Sequence, residues 1–169
     1  ARMGEDASCL NLNRAQTPRV LGVDPGQLAS RKAFANTSQL KGLRRNDPWN
    51  LLNETLPDGA IPAIGDANSI QWALGKKIGD TVAYTDERGR TVQLRLVASV
   101  ANSILQGGLL ISEANFIKLF PSESGYRVFL VDAPAAGVEK LVPTLTRALR
   151  DVGLELTSAV DRLNTFNAV

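Results

Sequence analysis

Residues 81–100 alternate apolar and polar side chains on either side of a short polar turn, a pattern that suits little other than an antiparallel hairpin. Val82 and Tyr84 point one way on the first arm. On the return arm Val92, Leu94, Leu96, Ala98 and Val100 share one face, while Gln93, Arg95 and Ser99 share the other. The turn is Asp86-Glu87-Arg88-Gly89, with Gly89 able to take a positive φ. One face of the hairpin is therefore expected in a core, and the other toward water or a partner.

Around this hairpin the elements are shorter. Residues 19–23, bounded by Pro18 and Pro25, read as a strand, as do residues 60–64 and 109–111. Asp47 followed by Pro48 predicts a short capped helix carrying Trp49, Leu51 and Leu52 into the core. Asp66 is expected to cap a helix through about residue 74, with Ile70, Ala73 and Leu74 on its inner face and Gly75 at its end. Ser112 is expected to cap another that runs to Phe120 and stops at Pro121. Within it, Phe116 and Phe120 read as core rather than as a docking face.

Residues 126–131 are apolar on both faces except for Arg127, as in a central strand. Val138, Leu141, Val142, Leu145, Leu149 and Val152 follow at helical spacing, with Gly153 closing the helix and Pro143 predicting a kink or a later start. Residues 154–157 read as a second strand, and residues 161–169 as a last helix. Strand, helix and strand over residues 126–157 make one βαβ crossover unit. The fold class is α+β, with two subdomains.

Composition removes whole classes of chemistry. The 169 residues contain no histidine, which excludes Ser-His-Asp and Cys-His triads and histidine proton relays. Cys9 is the single cysteine, so no internal disulfide forms. Gly4-Glu5-Asp6-Ala7-Ser8 before it is polar and acidic, unlike the apolar stretch that precedes a lipidated cysteine. Nineteen basic and 17 acidic side chains give a net charge of +2, too even for a dedicated nucleic-acid binder. The densest basic run, Lys41 with Arg44 and Arg45, reads as a solvated loop. No apolar run reaches the roughly 18–20 residues of a membrane helix.

Catalytic motifs are missing as well. Gly75-Lys76-Lys77 lacks the upstream glycine and the Ser or Thr of a phosphate-binding loop: position 70 is Ile and position 77 is Lys. Gly107-Gly108 is a joint before a strand. The pairs Glu5–Asp6 and Asp86–Glu87 lie in a polar leader and a turn, and Asp24, Asp58, Asp66 and Asp80 sit beside Gly or Pro or at caps. No residue is singled out as catalytic, cofactor-binding or metal-ligating, and no cofactor is implied.

Several segments, in this order and spacing, do resemble a known family. They are Ser8-Cys9-Leu10-Asn11-Leu12 with Thr17-Pro18-Arg19-Val20-Leu21-Gly22-Val23, then Ile61-Pro62-Ala63-Ile64-Gly65-Asp66 with Gly75 and Gly79-Asp80. Leu109-Leu110-Ile111-Ser112-Glu113, Phe116, Phe120-Pro121, Ser124-Gly125-Tyr126-Arg127-Val128-Phe129-Leu130 and Asp161-Arg162-Leu163 complete the set. Together they resemble the extracytoplasmic (periplasmic) domain of FtsX/MacB-like ABC-transporter permeases.

That resemblance implies a single extracytoplasmic domain over residues 1–169, set between two membrane helices. Residues from about 60 to 112 would form a β-rich inserted part. Those from about 125 to 169 would form a membrane-proximal βαβ part leading into a membrane helix, as in a MacB-like periplasmic core. The whole protein would lie in the inner membrane, with this domain on its periplasmic or extracellular side. The implied partners are a cytoplasmic ABC ATPase reached through the rest of the permease, and another envelope protein or a second permease copy; nucleic acid is not among them. Its role would be mechanical, coupling ATP hydrolysis to export, lipoprotein release or force transmission. Two other readings stay open at this stage: an envelope ligand-binding or protein-docking module, and an enzyme that uses carboxylates or a serine without histidine.

Overall fold

The computed structural model describes residues 18–43, 46–101, 103–123, 125–153 and 155–167. Its elements are strands β1 (Arg19–Val23), β2 (Ala35–Gln39), β3 (Ile61–Asp66), β4 (Thr81–Thr85), β5 (Thr91–Ala101) and β6 (Gly108–Ser112). Helices α1 (Pro25–Ser30), α2 (Glu113–Leu119), α3 (Ala135–Ala148) and α4 (Ala159–Asn167) accompany them, with 3-10 turns at Pro48–Asn53 and Arg150–Val152 and a π turn at Ser69–Ala73. The protein is thus mixed α and β, as expected. It divides into two compact units, residues 1–126 and residues 127–169.

All six strands lie in the first unit, in one mixed sheet. The order is β1-β6-β3-β5-β2, and β4 also pairs with β5. β1 runs parallel to β6 and β3 parallel to β5, while β3–β6, β2–β5 and β4–β5 are antiparallel. The predicted hairpin is present, with Thr85 opposite Thr91 and Gly89 at φ +79° in the turn. Beyond the hairpin, β2 takes over on the same edge of β5. Leu40 N–H donates to the Val97 carbonyl and Gly79 N–H to the neighbouring Leu96 carbonyl, each at 2.8 Å. β4 and β2 therefore form one interrupted edge along an eleven-residue strand. The β-rich region is accordingly wider than residues 60–112, because β1 and β2 belong to the same sheet.

Apolar side chains cover this sheet on both faces. One layer joins Leu21, Ile64, Val97, Val100 and Leu110 to Leu28 of α1 and to Trp49, Leu51 and Leu52 of the 3-10 turn. The opposite layer joins Val20, Ala63, Leu94, Leu96, Leu109 and Ile111 to Ile70, Val82, Tyr84, Phe116 and Phe120. Strict alternation along β5 predicts one wet face, and here the structure differs. The pairing with β3 shifts by one residue between Ala63 and Ile64, so Val97 is an extra residue in the ladder. A bulge of this kind reverses the phase of the strand. Leu94 and Leu96 consequently enter one layer, and Ala98 and Val100 the other. Ser99, expected to face water or a partner, is buried.

Local chemistry explains most of the short elements. Asp47 accepts from Trp49 N–H at 2.9 Å and Pro48 opens the turn, as predicted, although the turn is 3-10. The same Asp-Pro signal at Asp24-Pro25 starts α1, where Asp24 accepts from Gln27 N–H at 3.1 Å. Ser112 caps α2 through Asn115 N–H. Trp49 donates its indole N–H to the Ala33 carbonyl at 2.8 Å and packs edge-on against Phe34. Phe34 has φ +63°, a conformation that bulky residues seldom adopt. The contact with Trp49 helps hold it there.

In the second unit α3 runs continuously through Pro143, without the later start that Pro143 suggested. Leu141 and Leu145 are half-buried, Val138, Val142 and Leu149 are exposed, and no described residue of this unit is fully buried. The expected strand at residues 126–131 does not form. This stretch bends at Arg127 and belongs to no sheet, and Val128, Phe129, Leu130 and Val131 are exposed. Leu154 lies outside the described residues, and residues 155–157 are not strand. The expected βαβ crossover is thus absent among the described residues. An apolar run specifies a surface that suits a sheet, and it becomes a strand only beside a partner strand. The doubly covered central positions are filled instead by β3 and β6.

Candidate functional site

Carboxylates are the first place to look for chemistry, and each one that the sequence singled out in the described region holds a turn. Asp66, at the end of β3, is buried. Its Oδ1 accepts from Asn68 N–H at 3.0 Å and Ser69 N–H at 3.4 Å, and its Oδ2 from Ser103 N–H at 3.1 Å. Ser69 Oγ in turn accepts from Gly107 N–H, and Ser103 Oγ from Leu105 N–H, both at 2.9 Å. These bonds tie the loop before β6 to the turn after β3.

Asp86 is a second buried carboxylate, inside the hairpin turn. It accepts from Arg88 N–H at 2.9 Å, Arg90 N–H at 2.8 Å and Arg90 Nε at 2.7 Å. Burial pushes its pKa up, but the backbone N–H and guanidinium of Arg90 and the Arg88 N–H outweigh this and hold it below the usual value. Its neighbour Glu87 is exposed and accepts from Ser122 N–H and Oγ, fastening the turn to the chain after α2. Asp58 accepts from Ala60 N–H and from Arg95, whose hydrogen bond draws its pKa down. Asp80 accepts from Lys77 N–H at 3.0 Å.

One further polar group stands at the common end of β1 and β6, where Val23 pairs with Ser112. Tyr126 hydrogen-bonds Glu113 here, and that bond, with the charges of Glu113 and Asp24, raises the phenol pKa. Tyr126 is itself largely exposed. No group of three or more metal-binding side chains occurs among the described residues. Cys9, Glu5, Asp6, Arg44 and Arg45 lie outside the described residues, and Lys41 is exposed on a turn.

The surface has one feature that belongs to no sequence motif. Trp72 is 74% exposed on the π turn after β3, and Lys76 and Lys77, which follow that turn in sequence, are exposed as well. A signal was available, because a helical face holding Ile70, Ala73 and Leu74 inward leaves residue 72 outward. Phe116 and Phe120 are buried as expected, while Ile117 between them is half exposed. No helix among the described residues is long and apolar enough to cross a membrane. No family model, curated protein or solved structure matches the chain.

Proposed function

We propose that this chain is the extracytoplasmic domain of an FtsX/MacB-like ABC-transporter permease. It performs no chemistry of its own and passes movement between a cytoplasmic ATPase and the envelope. The observation that carries the reading is the contrast between its two units. The first has a sheet covered on both faces, with its carboxylates spent on bracing turns. The second has the apolar pattern of packed elements, in α3 and in residues 128–131, yet none of its described residues is fully buried. With none of its described residues fully buried, the second unit gains little to offset its ordering entropy, and its apolar side chains would be stabilised by a further surface.

A well-packed sheet unit followed by a unit with little burial suits a mechanical coupler. The ATPase cycle would bias two orientations of the sheet unit through the membrane helices, in proportion to the difference in contact energy between them. Cargo export, lipoprotein release and activation of an envelope enzyme all use such a coupler.

Purification of the full-length protein in detergent tests the reading. The expected result is sedimentation with membranes and co-purification with an ATPase of the ATP-binding-cassette class. Recovery away from membranes, with no ATPase bound, would overturn it.

A further inference from the structure

The π turn that carries Trp72 is braced from several sides. Ile70 is buried, and its side chain lies 3.1 Å from where a Cβ on Gly65 would stand. Asp66 holds the start of the turn and Ser69 Oγ binds Gly107 N–H. Leu74 N–H donates to the Ser69 carbonyl at 3.0 Å, and Lys76 N–H to the Ile70 carbonyl at 2.9 Å. That last bond draws the Lys76 backbone back to the turn. A π turn is an uncommon conformation that occurs disproportionately at functional sites.

This turn presents one large amphipathic ring, and two exposed cations follow shortly after it in sequence. Residues 67–79 contain no acidic side chain; the Asp80 carboxylate that follows accepts from Lys77 N–H at 3.0 Å, and neither Lys76 nor Lys77 forms an ion pair with a described residue. The apolar part of the patch is a single side chain. A stable protein interface needs about 800 Å² per partner, is built around a broader apolar centre and is depleted in lysine. Tryptophan is enriched where membranes meet water, and lysine is attracted to anionic lipid.

We propose that residues 69–77 form a contact for an anionic phospholipid surface, with Trp72 at headgroup depth and Lys76 and Lys77 against the lipid phosphates. The inference deepens the permease reading and rests on it, since the modest affinity of so small a patch is useful only where a tether already holds the domain near a bilayer.

The two tryptophans make the test local. Trp49 is 1% exposed, whereas Trp72 is open, so lipid contact alters the emission of Trp72 alone. The 169-residue chain is titrated with vesicles of phosphatidylglycerol and phosphatidylcholine, some carrying brominated acyl chains. The expected result is a blue shift and bromine quenching, both lost in Trp72→Phe. In Lys76→Glu/Lys77→Glu the affinity should fall by at least about 25-fold, from about fivefold per lysine neutralised. Unchanged Trp49 emission in Trp72→Phe, and an unchanged far-ultraviolet circular dichroism spectrum in the lysine variant, report intact folds.

No spectral change with acidic vesicles, or binding that survives both variants, overturns the proposal. So does a Trp72 shift with an acidic polypeptide such as polyglutamate but not with vesicles, which would make the patch a protein contact. These outcomes are independent of the detergent purification. A permease that co-purifies with its ATPase while this chain ignores vesicles would overturn the lipid contact alone.

Discussion

Arg95 of β5 and Asp58 of the loop before β3, 37 residues apart in sequence, are joined by an ion pair. Arg95 donates Nε to Asp58 Oδ2 at 3.1 Å, donates Nη2 to the same oxygen, and gives Nη1 to the Gly79 carbonyl. The guanidinium thus fastens the loop before β3 to the junction where one edge strand hands over to the next. Its planar fork suits this task, which a lysine could not perform with one ammonium group.

Removing the carboxyl charge exposes the linkage. The Asp58 pKa is lowered on folding from 3.8, through its hydrogen bond to Arg95. A depressed carboxylate stabilises the fold above its unfolded pKa, and the contribution disappears as pH falls through the folded value. Asp58→Asn should therefore unfold more readily than the parent chain at neutral pH, and the two should converge as pH falls through the depressed Asp58 pKa. Thermal melts across pH 2–7 measure this. Asp86, lowered from 3.8 by the same kind of bonding, adds to the acid sensitivity with the same sign.

Gly22 is a packing requirement. A Cβ there would stand 2.6 Å from Phe116 Cβ and 2.7 Å from Cγ, which forces α2 away from β1. Gly22→Ala should cost about 1–3 kcal/mol, as overpacking does, in urea or guanidinium titration.

Lys32 offers the opposite case. It is exposed, and its φ is +49°, where a side chain costs energy that glycine avoids. Lys32→Gly should stabilise the chain by up to about 1 kcal/mol in the same titration.

Protection should divide at the unit boundary. With no fully buried described residue, residues 127–167 should exchange their amide hydrogens far faster than β3, β5 and β6. Trypsin should cut first at sites such as Arg127, Lys140 and Arg147, leaving a resistant piece that retains the sheet. Mass spectrometry of timed digests checks this, and equal protection in both units would contradict it.

Much of the sheet was legible because short-range signals write it. Alternation around Asp86–Gly89 marks the hairpin, and Ser112 and the Asp47-Pro48 pair mark helix starts. β2 was not legible, since Ala-Asn-Thr-Ser-Gln has no apolar period and is a strand only because β5 offers it an edge. The bulge at Val97 escaped for a related reason: it is decided by the pairing with β3, 30-odd residues away in sequence, and not by β5 itself. Residues 126–131 show the converse, an apolar run without a strand beside it. For the surface, the inward face of residues 70–74 already pointed Trp72 outward, but nothing local showed that the turn would be braced so firmly.

The most direct measurement is the coding sequence on either side of these 169 residues, translated and searched for bilayer-length apolar segments. The permease reading predicts one of about 20 residues shortly before residue 1 and another shortly after residue 169. A cleavable signal peptide upstream with no apolar span downstream would contradict it, and would leave an envelope protein that works free of the membrane.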